Sequence, residues 1–268
     1  MINKLERESA GQIEDTDIPK EEFKSFYKKL NKADTAYSNE QQNITQEFET
    51  LKSNINFSVS GESNNEITCE EMIKAIKLLK NGKSASSDLI SNETTAFIKP
   101  LCKLFNLIFS HGIFPKSWNE NYLVLLHKKG NRFDPNNYRG ISISSNLGKL
   151  FNKIIYNRLL EFMNNHFLIS KNQIGFKEKC RTSDHIFTLK TITDNYKIKV
   201  FAAFTDLRKA FDTVWRIGFF YKLLKHNTPH KIFKIIYSMY TDTMCKIKFS
   251  NGPSEPFISE RGLNKVMF

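Results

Sequence analysis

Residues 200–214 read VFAAFTDLRKAFDTV. Val200, Phe201, Ala202, Ala203 and Phe204 form an apolar run of strand length that ends at Thr205 and Asp206, and residues 214–224 continue at helical spacing. The pattern predicts a strand over 200–205 with an acidic residue at its tip and a helix beyond it. A carboxylate in that position, beside the carbonyl of Leu207, offers two oxygen ligands to Mg2+, which keeps several waters and takes the rest of its shell from substrate phosphates. Asp is also a common helix cap, so these residues alone leave Asp206 as either a metal ligand or a cap. Asp212, six residues on, reads as structural, either a cap or a partner for a nearby base. Phosphoryl transfer with two metals needs at least one further carboxylate close by.

Working outward, Thr68 with Glu71 makes a capping box ahead of Met72, Ile73, Ile76 and Leu79, a helix stopped by Gly82. Leu101, Leu104, Phe105, Ile108 and Phe109 predict a second helix ending near Gly112. Residues 122–126 suit a strand, and the turn-rich, basic stretch HKKGNRFDPNNYRG follows. Leu147, Leu150, Phe151, Ile154, Ile155, Leu159 and Phe162 share one face of a longer helix, with Lys149, Lys153 and Asn157 on the other. Ile232, Phe233, Ile236 and Tyr240 predict a further helix. Cys245, Ile247 and Phe249 then alternate with Lys246 and Lys248 as a half-exposed strand turning at Asn251 and Gly252. Helices mixed with strands that are not adjacent in sequence indicate an α+β domain.

Charge is placed unevenly. Residues 1–66 carry 8 Lys and Arg against 13 Asp and Glu, whereas residues 67–268 carry 32 against 15. The acidic part is poor in aliphatic residues and reads as largely flexible, with one short amphipathic piece around Phe23, Phe26, Tyr27 and Leu30. The basic body implies a polyanionic partner, most often nucleic acid, although basic surfaces also arise without one. The four cysteines are far apart in sequence, which suits neither a paired-cysteine metal site nor a small disulfide framework and points to a reducing, intracellular compartment. His127, His166 and His185 lack metal-ligand spacing. No apolar run reaches the roughly 20 residues of a membrane span.

The segment FTDLRKAFDTV resembles the first palm motif of the reverse transcriptases of non-LTR, LINE-type retrotransposons. Three further blocks are similar to that family in the same order: LLKNGKSASSDLISNE ahead of the fingers, residues 114–159 from FPKSWNENYLVLLHKKG to NKIIYNRL, and NQIGFKEKCRTSDHIFTL. The resemblance implies fingers over 67–196 and a partial palm over 197–268, after the acidic segment 1–66. It aligns Asp206 with the catalytic, metal-binding Asp and Leu207 with the position whose carbonyl also binds metal. Lys209 and Ala210 align with positions whose backbone lies along the incoming triphosphate, and Phe211 with the bulky residue under the sugar. In a chain with 23 phenylalanines, Phe211 also reads as an ordinary core residue. Arg181 matches a fingers arginine that grips the nucleotide's phosphates, for which a planar guanidinium is suited. Arg139 resembles a position near template and nucleotide. Lys128, Lys129, Arg132 and Lys149 read either as contacts to a nucleic-acid backbone or as a solvated face.

The likeness implies RNA-directed DNA synthesis, with Mg2+ as cofactor, an RNA template, a DNA primer and deoxynucleoside triphosphates as partners, and a nuclear or cytoplasmic ribonucleoprotein setting. It breaks after Leu263, where the family continues with a Gln-Gly pair and this chain reads NKVMF. The family's aromatic-Ala-Asp-Asp turn has no counterpart, since no two aspartates are adjacent in the 268 residues. No endonuclease domain is expected ahead of the fingers. The expectation is therefore a fingers and partial-palm fragment that is inactive as written. The alternatives are a catalytically dead RNA-binding remnant and a degraded or truncated copy of an element.

Overall fold

The first two helices among the described residues are amphipathic, the first burying Phe23 and Tyr27 and the second Phe48. In the computed structural model, which describes residues 18–34, 36–54, 64–78, 97–177, 179–195, 199 and 201–263, these are α1 (Lys20–Leu30) and α2 (Asn39–Ser53). The acidic segment thus contributes more than the single short helix anticipated from its sequence. Phe23 and Tyr27 of α1 are spaced four apart and buried together, and Ser38 with Gln41 forms a reciprocal capping box at the start of α2. Next come α3 (Cys69–Leu78), α4 (Ile98–His111), β1 (Glu120–His127), β2 (Tyr138–Ile143) and α5 (Asn146–Asn165). The order continues with α6 (Thr182–Asn195), α7 (Arg216–Lys225), α8 (His230–Tyr240), β3 (Thr243–Phe249), β4 (Gly252–Pro253) and β5 (Phe257–Ser259).

The predicted start of α3 is present in full: Thr68 and Glu71 exchange backbone-to-side-chain bonds of 2.8 and 3.2 Å. The expected stop at Gly82, and the block LLKNGKSASSDLISNE after Leu78, lie outside the described residues. Helix α4 ends at Gly112, whose φ of 70° and N–H bond to the Ile108 carbonyl make the expected left-handed cap. In α5 the apolar face is buried as read, but Arg158 is buried on it too. Its guanidinium grips Glu71 through bonds of 2.7 and 2.8 Å and donates to the carbonyls of Asn65 and Glu66.

Strands β1 and β2 pair antiparallel, β1 and β3 pair parallel, and the far edge of β3 is shared by β4 and β5, both antiparallel to it. Register sets Leu123 opposite Ile247 and Cys245 opposite Phe257. The alternation in β3 is as expected: Thr243, Cys245, Ile247 and Phe249 are buried, and Lys246 and Lys248 lie on the opposite face. Helix α1 covers the buried face with Phe23 and Tyr27, forming a core with Leu123, Tyr138, Ile247, Phe249 and Phe257. A second, larger core joins α2, α3, α4, α5, α7 and α8 around Phe48, Met72, Phe105, Phe151, Phe220 and Ile235. Both the sheet and this helical core join residues from either side of position 196.

The strand expected over 200–205 is not formed across its described residues. Residues 201–207 belong to neither helix nor strand, and Phe201 and Phe204 are 92% and 84% exposed. A β-strand needs neighbours for its N–H and C=O groups. β1 and β3 are each paired on both edges by other strands, and this run pairs with no strand among the described residues.

Candidate active site

A tight turn follows the unpaired run. Lys209 adopts φ 51°, a left-handed conformation unusual for a lysine, and its carbonyl accepts the N–H groups of Asp212 and Thr213 at 2.8 and 3.1 Å. The Thr213 hydroxyl donates to the same carbonyl. The turn is held from behind by Gly262 and Leu263. The N–H of Gly262 bonds to the Val214 carbonyl at 2.9 Å, and that of Leu263 to the Phe211 carbonyl at 2.8 Å. Gly262 has φ +80°, and a Cβ there would stand 2.7 Å from the Asp212 carbonyl oxygen, so the approach requires glycine.

Arg216, at the start of α7, fixes this junction. It is 6% exposed, and its guanidinium donates to the carbonyls of Gly262, Tyr240, Ser259 and Arg261 and to the Ser259 hydroxyl. Burial lowers its pKa, yet a guanidinium stays charged in proteins. The Ser259 hydroxyl donates in turn to the Asn31 side chain, and the Asn31 carbonyl accepts the N–H groups of Glu260 and Arg261. The end of α1 is thereby tied to the turn.

The sequence-derived residues fall into three places. Asp206, Leu207, Lys209, Ala210 and Phe211 lie on the run and its turn, where Asp206, Ala210 and 75%-exposed Leu207 face solvent. The cap alternative for Asp206 is removed, because α7 begins at Arg216, ten positions later. Asp212 does not cap α7 either: the cap position is Trp215, with no side-chain bond. Instead Asp212 lines a small cleft with Tyr27, Ser142 and Arg261. Burial first, and then the nearby Asp212 charge, push the Tyr27 hydroxyl's pKa up.

Lys128, Lys129, Arg132 and Arg139 lie on the β1–β2 hairpin, with Arg139 opposite Leu126. Lys128 donates its N–H to the Asn137 carbonyl, and the Arg132 carbonyl accepts the Tyr138 hydroxyl. Lys149 is on the first turn of α5, with Nζ 3.3 Å from Asn146 Oδ1. Arg181 is exposed at the start of α6, where its N–H donates to the Asp184 carboxylate at 2.7 Å.

Two contacts bring these places together. The Lys209 ammonium reaches the hairpin at Asn136 Oδ1, 3.5 Å away. Phe211, 39% exposed, meets Phe176 edge to face with centroids 5.8 Å apart, five residues before Arg181. Asn136, Phe176 and Arg216 were not singled out by the sequence. Nothing in the local pattern marks a polar or exposed residue whose partner is 70 or 30 positions away.

Among the described residues, no three His, Cys, Asp or Glu side chains converge as a metal cluster. Asp212 of the same turn lines the cleft with Tyr27 and Arg261, which leaves the Asp206 carboxylate and the adjacent carbonyl as the exposed donors on the run. That set fits the protein's share of one Mg2+ that also takes waters and phosphate oxygens, and it does not fit two ions. No described helix is long and apolar enough to cross a membrane.

Residues 126–264 match the family described as reverse transcriptase (RNA-dependent DNA polymerase), and the chain belongs to that family. Its relatives set it within the non-LTR retrotransposon branch. It is 31% identical over 206 residues to "Probable RNA-directed DNA polymerase from transposon BS" of Drosophila melanogaster, covering 74% of this chain and 23% of that protein. It is 31% identical over 183 residues to "RNA-directed DNA polymerase from mobile element jockey" of the same species, covering 64% and 20%. A more distant likeness, 25% over 179 residues, is to "Retrovirus-related Pol polyprotein from type-1 retrotransposable element R2" of Nasonia vitripennis, covering 66% and 17%. The chain thus spans about a fifth of the length of the curated relatives it matches.

Proposed function

We propose that this chain forms the nucleotide-facing part of an RNA-directed DNA polymerase, binding a deoxynucleoside triphosphate at the 206–211 turn and an RNA template with a DNA primer along the basic hairpin. Asp206 and the Leu207 carbonyl hold the metal. Bound Mg2+ supplies charge neutralisation on the triphosphate. Lys209 and Ala210 lie along the phosphates, Arg181 grips them bidentately, and Phe211 sits under the sugar, where its volume disfavours a 2′-hydroxyl. Lys128, Lys129, Arg132, Arg139 and Lys149 contact template and primer phosphates, positioning the strand without reading its sequence. The observation that carries this reading is the meeting of three regions at the turn: Asn136 of the hairpin on Lys209, and Phe176 on Phe211.

The 268-residue polypeptide by itself binds without extending a primer. Two-metal nucleotidyl transfer holds its ions about 3.5–4 Å apart with several carboxylates, and Asp206 is the one that the resemblance assigns to that set among the described residues. The test is binding of dATP with Mg2+ by calorimetry, together with extension of a primed RNA. Saturable, Mg2+-dependent binding lost in Asp206→Asn, with no extension, is expected. Unchanged binding in Asp206→Asn contradicts the metal assignment, and Mg2+-dependent extension contradicts the binding-only reading.

A further inference from the structure

The Lys209 ammonium stands 4.1 Å over the ring of Phe26, the shortest such cation–ring approach among those described. Phe26 belongs to α1, in the acidic part of the chain, more than 180 positions away. The ring is itself fixed. It is half-buried, packs at 5.3 Å edge to face on Tyr27, and Tyr27 is buried in the sheet core. On its other side the ammonium is 3.5 Å from Asn136 Oδ1. A lysine side chain has four rotatable bonds and loses much freedom when one position is imposed on it. Here ring and amide impose that position before any ligand arrives, and preorganisation of this kind strengthens binding by removing the ordering cost.

We propose that Phe26 is a positioning residue for the nucleotide site: helix α1 holds the Lys209 ammonium where the triphosphate docks. This rests on the nucleotide-site reading above. It adds that the ammonium, and not the backbone alone, contacts phosphate, and that the acidic N-terminal region takes part in substrate binding. The strapping of Asn31 to Ser259, Glu260 and Arg261 keeps α1 in register with the turn, so ring and ammonium are fixed to a common frame.

The experiment is a double-mutant cycle on the full 268-residue chain, reading dATP affinity in Mg2+ by calorimetry and melting temperature by circular dichroism. Phe26→Leu keeps the apolar packing and removes the ring. It is expected to weaken dATP binding about 3- to 5-fold, the effect of one exposed cation–ring contact, and Phe26→Tyr is expected to restore it. Lys209→Met is expected to weaken binding by more. In that background Phe26→Leu should cost no further affinity, although any loss of melting temperature that comes from apolar packing should persist. A purely structural role predicts the reverse: Phe26→Leu lowers affinity equally with and without Lys209, and this overturns the proposal. Wild-type affinity in Phe26→Leu also overturns it, while leaving the nucleotide site intact. Failure of the wild-type chain to bind dATP overturns both the nucleotide-site reading and this one.

Discussion

Arg216 donates from Nε to the carbonyl of Gly262 at 2.9 Å, across 46 positions of sequence. Its other donors reach Tyr240, Ser259 and Arg261, so one buried cation gathers the ends of α8 and β5 and the glycine that backs the Lys209 turn. Replacing it with Leu strands several buried carbonyls, each costing about 1–3 kcal/mol when unsatisfied. Arg216→Leu is therefore expected to lose at least ~3 kcal/mol in urea unfolding, with Arg216→Lys intermediate because an ammonium cannot span the same carbonyls. A change under ~0.5 kcal/mol, the range of ordinary surface substitutions, would remove Arg216 from this role.

Gly262→Ala tests the same junction from the other side. Its φ of +80° and the 2.7 Å approach of a Cβ to the Asp212 carbonyl leave no room without moving backbone. The expected cost is about 2 kcal/mol, with faster amide hydrogen exchange at Leu263, whose N–H bonds to Phe211.

Glu71 gives a pH signature. Its partial burial raises its pKa, but the hydrogen bonds from Arg158 and Thr68 outweigh this and hold it below the ordinary value of 4.5. A carboxyl lowered on folding contributes stability that is full above its unfolded pKa and disappears as pH falls through the folded one. Glu71→Gln is expected to cost about 1–3 kcal/mol at pH 7, and the difference from wild type should shrink below about pH 4.5. Denaturant titrations at pH 7 and in mild acid measure both; a difference that grows on acidification contradicts the linkage.

Nucleic-acid binding should follow salt. If Lys128, Lys129, Arg132, Arg139 and Lys149 each neutralise one phosphate of a single strand, affinity for RNA falls roughly 100-fold between about 50 and 200 mM salt. Each Lys→Ala change should lower the slope of log K against log salt by about 0.7. Filter binding with two unrelated RNAs checks it: equal affinities and a steep slope are expected, and a flat slope rules out phosphate contacts.

The helices with clear periodicity, α3, α4, α5 and α8, were legible because burial on one face writes itself into spacing. Strand β3 was legible for the same reason at period two. The run at 200–205 misled because an apolar stretch of strand length states a preference, whereas a strand is made by its neighbours, and none lies beside it among the described residues. Arg158 was hidden because a buried arginine looks like any polar interruption until Glu71 is seen 87 positions away. In the candidate site, the resemblance to the family supplied Asp206, Lys209 and Phe211. Phe26 was legible as part of an amphipathic helix, but its contact with Lys209 was not, and neither were those of Asn136 with Lys209, Phe176 with Phe211 and Arg216 with Gly262, because contacts across long stretches of sequence leave no local mark.

Photolabelling with 8-azido-dATP in Mg2+, with the modified peptides mapped by mass spectrometry, tests the 206–211 turn as a nucleotide site most directly. The account predicts label on peptides spanning residues 201–216 and the region of Arg181, competed by unmodified dATP and lost when Mg2+ is chelated. Label confined to other regions, or label at the turn that survives chelation, would contradict it.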